Sequence, residues 1–227
     1  MRIKNCKFII ILIYLIFSCV FLYSVYKPSR KIIVLDPGHA AKNSKGRIIN
    51  YGCRSKSGTR EIDIVLDIAE RLSYKLIQND MMVYFTRDKR HFWRHAESQN
   101  ADNQDRAEFA NSKNADIFLR IHCNWSVSSK CRGVSILWYK DDSKDLAEIV
   151  MGEIEKTGVI IDGIFKKELV GFRYAEKPSI LIEFGYLSNE EDEKLLKDDE
   201  YIKKLSDAIV KGLKIYFEKK DEIVVEK

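Results

Sequence analysis

Five short runs of β-branched and aromatic residues, separated by stretches of helical periodicity, constrain this chain more than any other feature. The runs are Lys31–Asp36, Met82–Thr86, Asp116–His122, Gly133–Tyr139 and Ser179–Phe184. Polar residues or glycine bound each of them, as expected of strands. Between them, Ile62, Val65, Ala69, Leu72 and Leu76 form one stripe at 3-4 spacing, and Ile202, Leu205, Ile209, Leu213 and Tyr216 form another. Residues 97–114 and 143–156 are predicted as further helices with weaker stripes. Strands alternating with helices predict an α/β fold, a single domain with a mostly parallel central sheet and helices on both faces. The polar stretch Asp88–Asp105 reads as an elaborated loop, and residues 219–227 as a frayed C-terminal tail.

The N-terminus has a different character. Phe8 to Tyr26 is a run without a charged residue, bordered by Lys7 and Lys27. At a rise of about 1.5 Å per residue, such a run nearly spans a hydrocarbon core of about 30 Å. It exceeds an ordinary signal-peptide core and is followed by no small-x-small cleavage site. Residues 1–30 are therefore expected to be a cytoplasmic tail and signal-anchor helix, in the membrane through residues 8–26, with the remainder extracytoplasmic. Cleavage of the anchor would give a secreted form.

Charge distribution excludes one class of partner. Six of the 39 basic residues lie in residues 1–31, where there is no acid, leaving 33 basic against 34 acidic residues in the rest. The net charge of +5 thus belongs to the membrane flanks, and no basic groove for nucleic acid is expected. Beyond the anchor lie Cys53, Cys123 and Cys131, an odd number. A Cys123–Cys131 disulfide and packed free thiols are both open.

Open α/β sheets bind ligands at the carboxyl ends of their strands. Here the first strand ends in Asp36-Pro37-Gly38-His39, the third in His122-Cys123-Asn124, and the last runs into Glu183, while Glu61 opens the helix after the first strand. Each has a plain structural alternative: a turn histidine, a core histidine, or an acid favouring a helix N-terminus. Glu183 is the sharpest, since a carboxylate in an apolar strand is costly unless paired or functional. Their shared location suggests two imidazoles and one carboxylate holding zinc, with the spare carboxylate as general base. Asp36 and Asn124 are candidates to orient the histidines. His91 and His95, four apart, form a rival pair, but their surroundings are so polar that a solvated loop is the better reading.

The motifs IVLDPGH (33–39), GTREIDIVLDIAERL around Glu61, TR (86–87), RAEFAN with ADIFLRIHCN (106–124) and PSILIEFGYLSN (178–189) resemble, in order, the zinc-dependent N-acetylmuramoyl-L-alanine amidases of the type-3 catalytic domain. The resemblance spans residues 31–218. It implies Zn²⁺ held by His39, Glu61 and His122, with Glu183 as the catalytic glutamate. It also implies peptidoglycan as substrate, cut at the amide between the lactyl group of N-acetylmuramic acid and L-alanine. Two departures stand out: the DPGHAAKNSKG loop is longer and less glycine-rich, and residues 171–174 read GFRY. Cys123, next to His122 on a strand, is expected to point to the opposite face. Two alternatives stay open: a peptidoglycan-binding regulator, inactive alone or activated by a partner protein, and a zinc peptidase cutting within the stem peptide. Spore-cortex and vegetative-wall roles fit the sequence equally.

Overall fold

A computed structural model describes residues 30–225, with nine strands and six α-helices among them. The expected anchor lies outside the described residues; within them, no helix is long and apolar enough to cross a membrane.

The main sheet contains β1 (Ile32–Pro37), β4 (Met82–Phe85), β6 (Ile117–Asn124), β7 (Val134–Trp138), β8 (Ile161–Lys166) and β9 (Ser179–Tyr186), in the order β4-β1-β6-β9-β7-β8. β4, β1, β6 and β9 are parallel. β7 runs antiparallel to β9, and β8 runs parallel to β7. The sheet is therefore mixed, with a reversed pair at one edge. A second sheet of β3-β2-β5 is made from three very short strands, β2 (Ala41–Lys42), β3 (Ile48–Asn50) and β5 (Arg94–His95).

Side-chain alternation along the strands separates two packed layers. Ile33, Leu35, Ile117, Leu119, Ile121, Ile180 and Ile182 face α1 (Glu61–Gln78), α3 (Lys144–Glu155) and α6 (Asp199–Val225) in one large core. Val34 and Phe118 face α2 (Gln99–Ser112), and Leu181 packs on Phe172 of α4 (Val170–Tyr174). Helices thus cover both faces. A short helix, α5 (Glu190–Leu195), follows β9 and is capped by Asn189, whose Oδ1 accepts from the Glu191 and Asp192 amides.

One boundary differs from the sequence reading. α6 continues to Val225, through the stretch expected to fray after Glu218. The apolar stripe ends near Tyr216, so periodicity gives no reason for the helix to go on. Charge pairs do: Lys31 reaches Asp221 and Lys219 reaches Asp145, each at 2.9 Å.

Candidate metal centre and its cleft

His39 enters the site on a constrained turn. After β1 the Gly38 amide bonds to the Ile121 carbonyl at 2.9 Å, and His39 and Ala40 both take left-handed backbone, at φ 66° and 62°. Such backbone in residues other than glycine persists where its surroundings over-determine it. Here two buried guanidiniums do so. Arg87 donates to the carbonyls of Pro37, Gly38 and Ile62 at 2.8–2.9 Å, and Arg106 donates to those of Pro37 and His39. Gly38 itself is required by contact: a Cβ there would lie 2.2 Å from Cε1 of His122.

The ring of His39 is aimed from behind. Its Nδ1 meets Asn50 Oδ1 at 2.6 Å, and Asn50 Nδ2 reaches Asp102 Oδ2 at 3.4 Å, which assigns Oδ1 as the acceptor. The proton therefore sits on Nδ1 and the lone pair on Nε2. That Nε2 lies 2.8 Å from Glu61 Oε1 and 3.0 Å from His122 Nδ1, and His122 Nδ1 lies 3.2 Å from the same Glu61 oxygen. Glu61 is the first residue of α1, and backbone amides fix its carboxylate: Cys53 to Oε2 at 2.8 Å and Cys123 to Oε1 at 3.1 Å. Burial alone would raise its pKa, but the two imidazoles beside it, His122 and His39, outweigh that and hold it well below the usual range. Burial pushes His122 down to about 4, against the pull of Glu61, so its ring is neutral at pH 7.

These three ligand atoms lie within 4.8 Å of one another. Lone pairs gathered so closely repel unless a cation or a proton lies among them. Two neutral imidazoles and one carboxylate form a set that zinc takes in catalytic sites. Nε2 of His122 is buried with no hydrogen-bond partner among the described residues, so that ring is held by sterics and by the cluster alone. The residues fit a zinc ion.

Glu183 reaches the cluster through strand register. β6 and β9 pair His122 with Glu183, which places the two side chains next to each other on the face shared with Arg120 and Leu181. Together they line a cleft of about 360 Å³. Glu183 Oε2 is buried without a hydrogen-bond partner among the described residues, and burial, reinforced by the charge of Glu61, pushes its carboxyl up to about 8. Lys167 and Arg120 pull the other way.

The remaining candidates lie elsewhere. Neither Asp36 nor Asn124 orients a histidine: Asp36 bonds Thr86, Arg106 and Arg120, and Asn124 Oδ1 accepts from the Trp125 amide. Asn50, the last residue of β3, takes that role; a neutral amide in a polar stretch of sequence carries no local signature. His91 bonds Asp88 at the surface, and His95 sits exposed on β5. Among the described residues, the metal-capable group is His39, Glu61 and His122. Cys123 points into the opposite core, and Cys53, Cys123 and Cys131 are free thiols.

A sequence profile described as N-acetylmuramoyl-L-alanine amidase matches residues 33–215, a span that contains all four side chains. The chain belongs to this family. Among curated amidase relatives, the probable cell wall amidase LytH of Staphylococcus aureus is 32% identical over 188 residues, covering 82% of this chain and 58% of LytH. The chain thus spans little more than half of that relative's length. Among solved amidase structures, AmiC2 of Nostoc punctiforme superposes with a TM-score of 0.71 at 29% identity, covering 83% of this chain and 97% of that one. The CwlD amidase of Clostridioides difficile, solved in complex with the GerS lipoprotein, gives 0.71 at 28% identity, covering 83% and 99%.

Proposed function

We propose that this amidase is zinc-dependent and hydrolyses the bond between the lactyl group of N-acetylmuramic acid and L-alanine in peptidoglycan. The observation that carries the reading is the convergence of His39, Glu61 and His122 with Glu183 in register beside them. Bound zinc would supply a Lewis acid and lower the pKa of water towards about 7. The chain's own part is positional. His39, Glu61 and His122 would hold the ion, with His39 aimed by Asn50 and Glu61 fixed by the Cys53 and Cys123 amides. Glu183, paired with His122 at the cleft, takes the proton of the attacking water and passes it to the leaving L-alanine nitrogen.

The test uses the full chain, zinc and purified muropeptides. Glu183→Ala is expected to lower turnover by about 10²–10⁴-fold while bound zinc stays stoichiometric. Undiminished turnover would reject Glu183. Released peptides should begin with L-alanine; fragments cut within the stem peptide would instead indicate a peptidase.

The reading extends to place. The uncharged run 8–26 supports a membrane anchor with the catalytic part outside the cytoplasm, acting on the cell wall or the spore cortex. The lipoprotein complex of the CwlD relative supports an activating or positioning partner for this chain too. Turnover by the chain alone would show such a partner to be dispensable.

A further inference from the structure

The cleft beyond Glu183 is built around a guanidinium with charge to spare. Arg120 is only 3% exposed, yet it lines the cleft. Its Nε bonds Asp36 and its Nη2 bonds Asn103, while Nη1 has no hydrogen-bond partner among the described residues and is not sealed from solvent. Gly171 makes room for it, since a Cβ there would lie 2.7 Å from Nη1. Three guanidiniums (Arg94, Arg106 and Arg120) share two carboxylates, Asp36 and Asp102, and a fourth, Arg87, bonds only carbonyls among the described residues. Lys167 stands exposed at the cleft wall, close enough to Glu183 to oppose the rise of its pKa, and without a hydrogen bond or ion pair to its ammonium among the described residues. Leu169 and Leu181 give the same cleft an apolar wall.

We infer that Arg120 and Lys167 form a subsite for a carboxylate on the leaving peptide, so that the protein distinguishes stem peptides with a free α-carboxyl at the second residue from those in which it is amidated. The inference rests on the hydrolytic reading above. Glu183 protonates the leaving nitrogen, so the peptide side of the scissile bond lies on the side of Glu183, where the cationic cleft is. Stem peptides join their D-glutamate through the γ-carboxyl and display the α-carboxyl as a carboxylate or, once amidated, as a neutral group. Two converging cations recognise the former by charge-assisted hydrogen bonds. The apolar wall suits the methyl of L-alanine.

The experiment compares N-acetylmuramoyl-L-alanyl-D-isoglutamate with its D-isoglutamine counterpart on the full chain loaded with zinc. Wild type should favour the carboxylate substrate about five- to tenfold in kcat/KM, mainly through KM. Lys167→Met should bring the ratio close to one, and Lys167→Arg should restore most of it. Because the ratio is taken between substrates, any effect of Lys167 on Glu183 cancels. A wild-type ratio near one, or one that survives Lys167→Met, overturns the subsite. Calorimetric binding of the two product dipeptides separates this from the hydrolytic reading. Preferential binding of L-alanyl-D-isoglutamate without turnover would remove that reading and support the subsite, whereas equal binding removes the subsite.

Discussion

Asn50 decides which nitrogen of His39 faces the cluster. Its Oδ1 takes the Nδ1 proton at 2.6 Å and leaves Nε2 as a lone pair 2.8 Å from Glu61. Without that acceptor the ring can turn or change tautomer, and ligand orienters of this kind typically contribute 10- to 100-fold in metal affinity. Asn50→Ala is therefore expected to weaken zinc binding by about that factor, as measured by competition with a chelating dye, and Asn50→Asp to retain most of it. Unaltered affinity in Asn50→Ala would show that the turn alone holds the ring. The four candidate side chains are legible in the sequence through their shared location: His39, His122 and Glu183 fall at strand ends and Glu61 opens the helix after the first strand. Asn50 is not legible, since an amide in a loop is ordinary and its role exists only once β3 folds beside the DPGH turn. Asp36 misleads for the opposite reason: it is close to His39 along the chain, but its side chain turns to Thr86, Arg106 and Arg120.

Helix packing sets a different kind of limit. α6 lies against α3, and the buried Gly212 sits at their contact: a Cβ there would sit 2.8 Å from Val150 Cα and 3.2 Å from its Cγ2. In an exposed helix Gly→Ala gains about 1 kcal/mol. Here the added methyl meets backbone, and overpacking typically costs about 1–3 kcal/mol. Gly212→Ala should thus lower the urea midpoint; a raised midpoint would mean that the two helices can separate freely. Packing also explains which elements the sequence displays. β1, β6 and β9 carry apolar residues on both faces and read plainly as strands. β8 is a half-exposed edge strand with Gly163 inside it, so it shows neither alternation nor an apolar run. β2, β3 and β5 are too short for any period. The reversal of β7 leaves no mark, because all five of its residues are buried in either direction.

Across the whole molecule, Asp36 ties the sheet to the layer above it. Its two oxygens bond Thr86 of the segment after β4, Arg106 of α2 and Arg120 of β6, with the carboxylate fully buried. Burial by itself would raise its pKa, but Arg106 and Arg120 outweigh that and hold it well below the ordinary value. The sign of the pH effect follows. A carboxyl depressed in the folded state stabilises the fold above its unfolded pKa of about 3.9, and that contribution disappears as pH falls through the folded value. Wild type should therefore lose stability progressively below about pH 4. Asp36→Asn keeps the shape but leaves two buried guanidiniums without their shared charge, a change that commonly costs about 3–5 kcal/mol. Urea midpoints of both proteins measured from pH 7 down to pH 3 should converge, as acid removes from wild type what the substitution has already removed from the variant. Parallel curves would show that Asp36 has the same pKa folded and unfolded, and would move the acid sensitivity to other carboxylates.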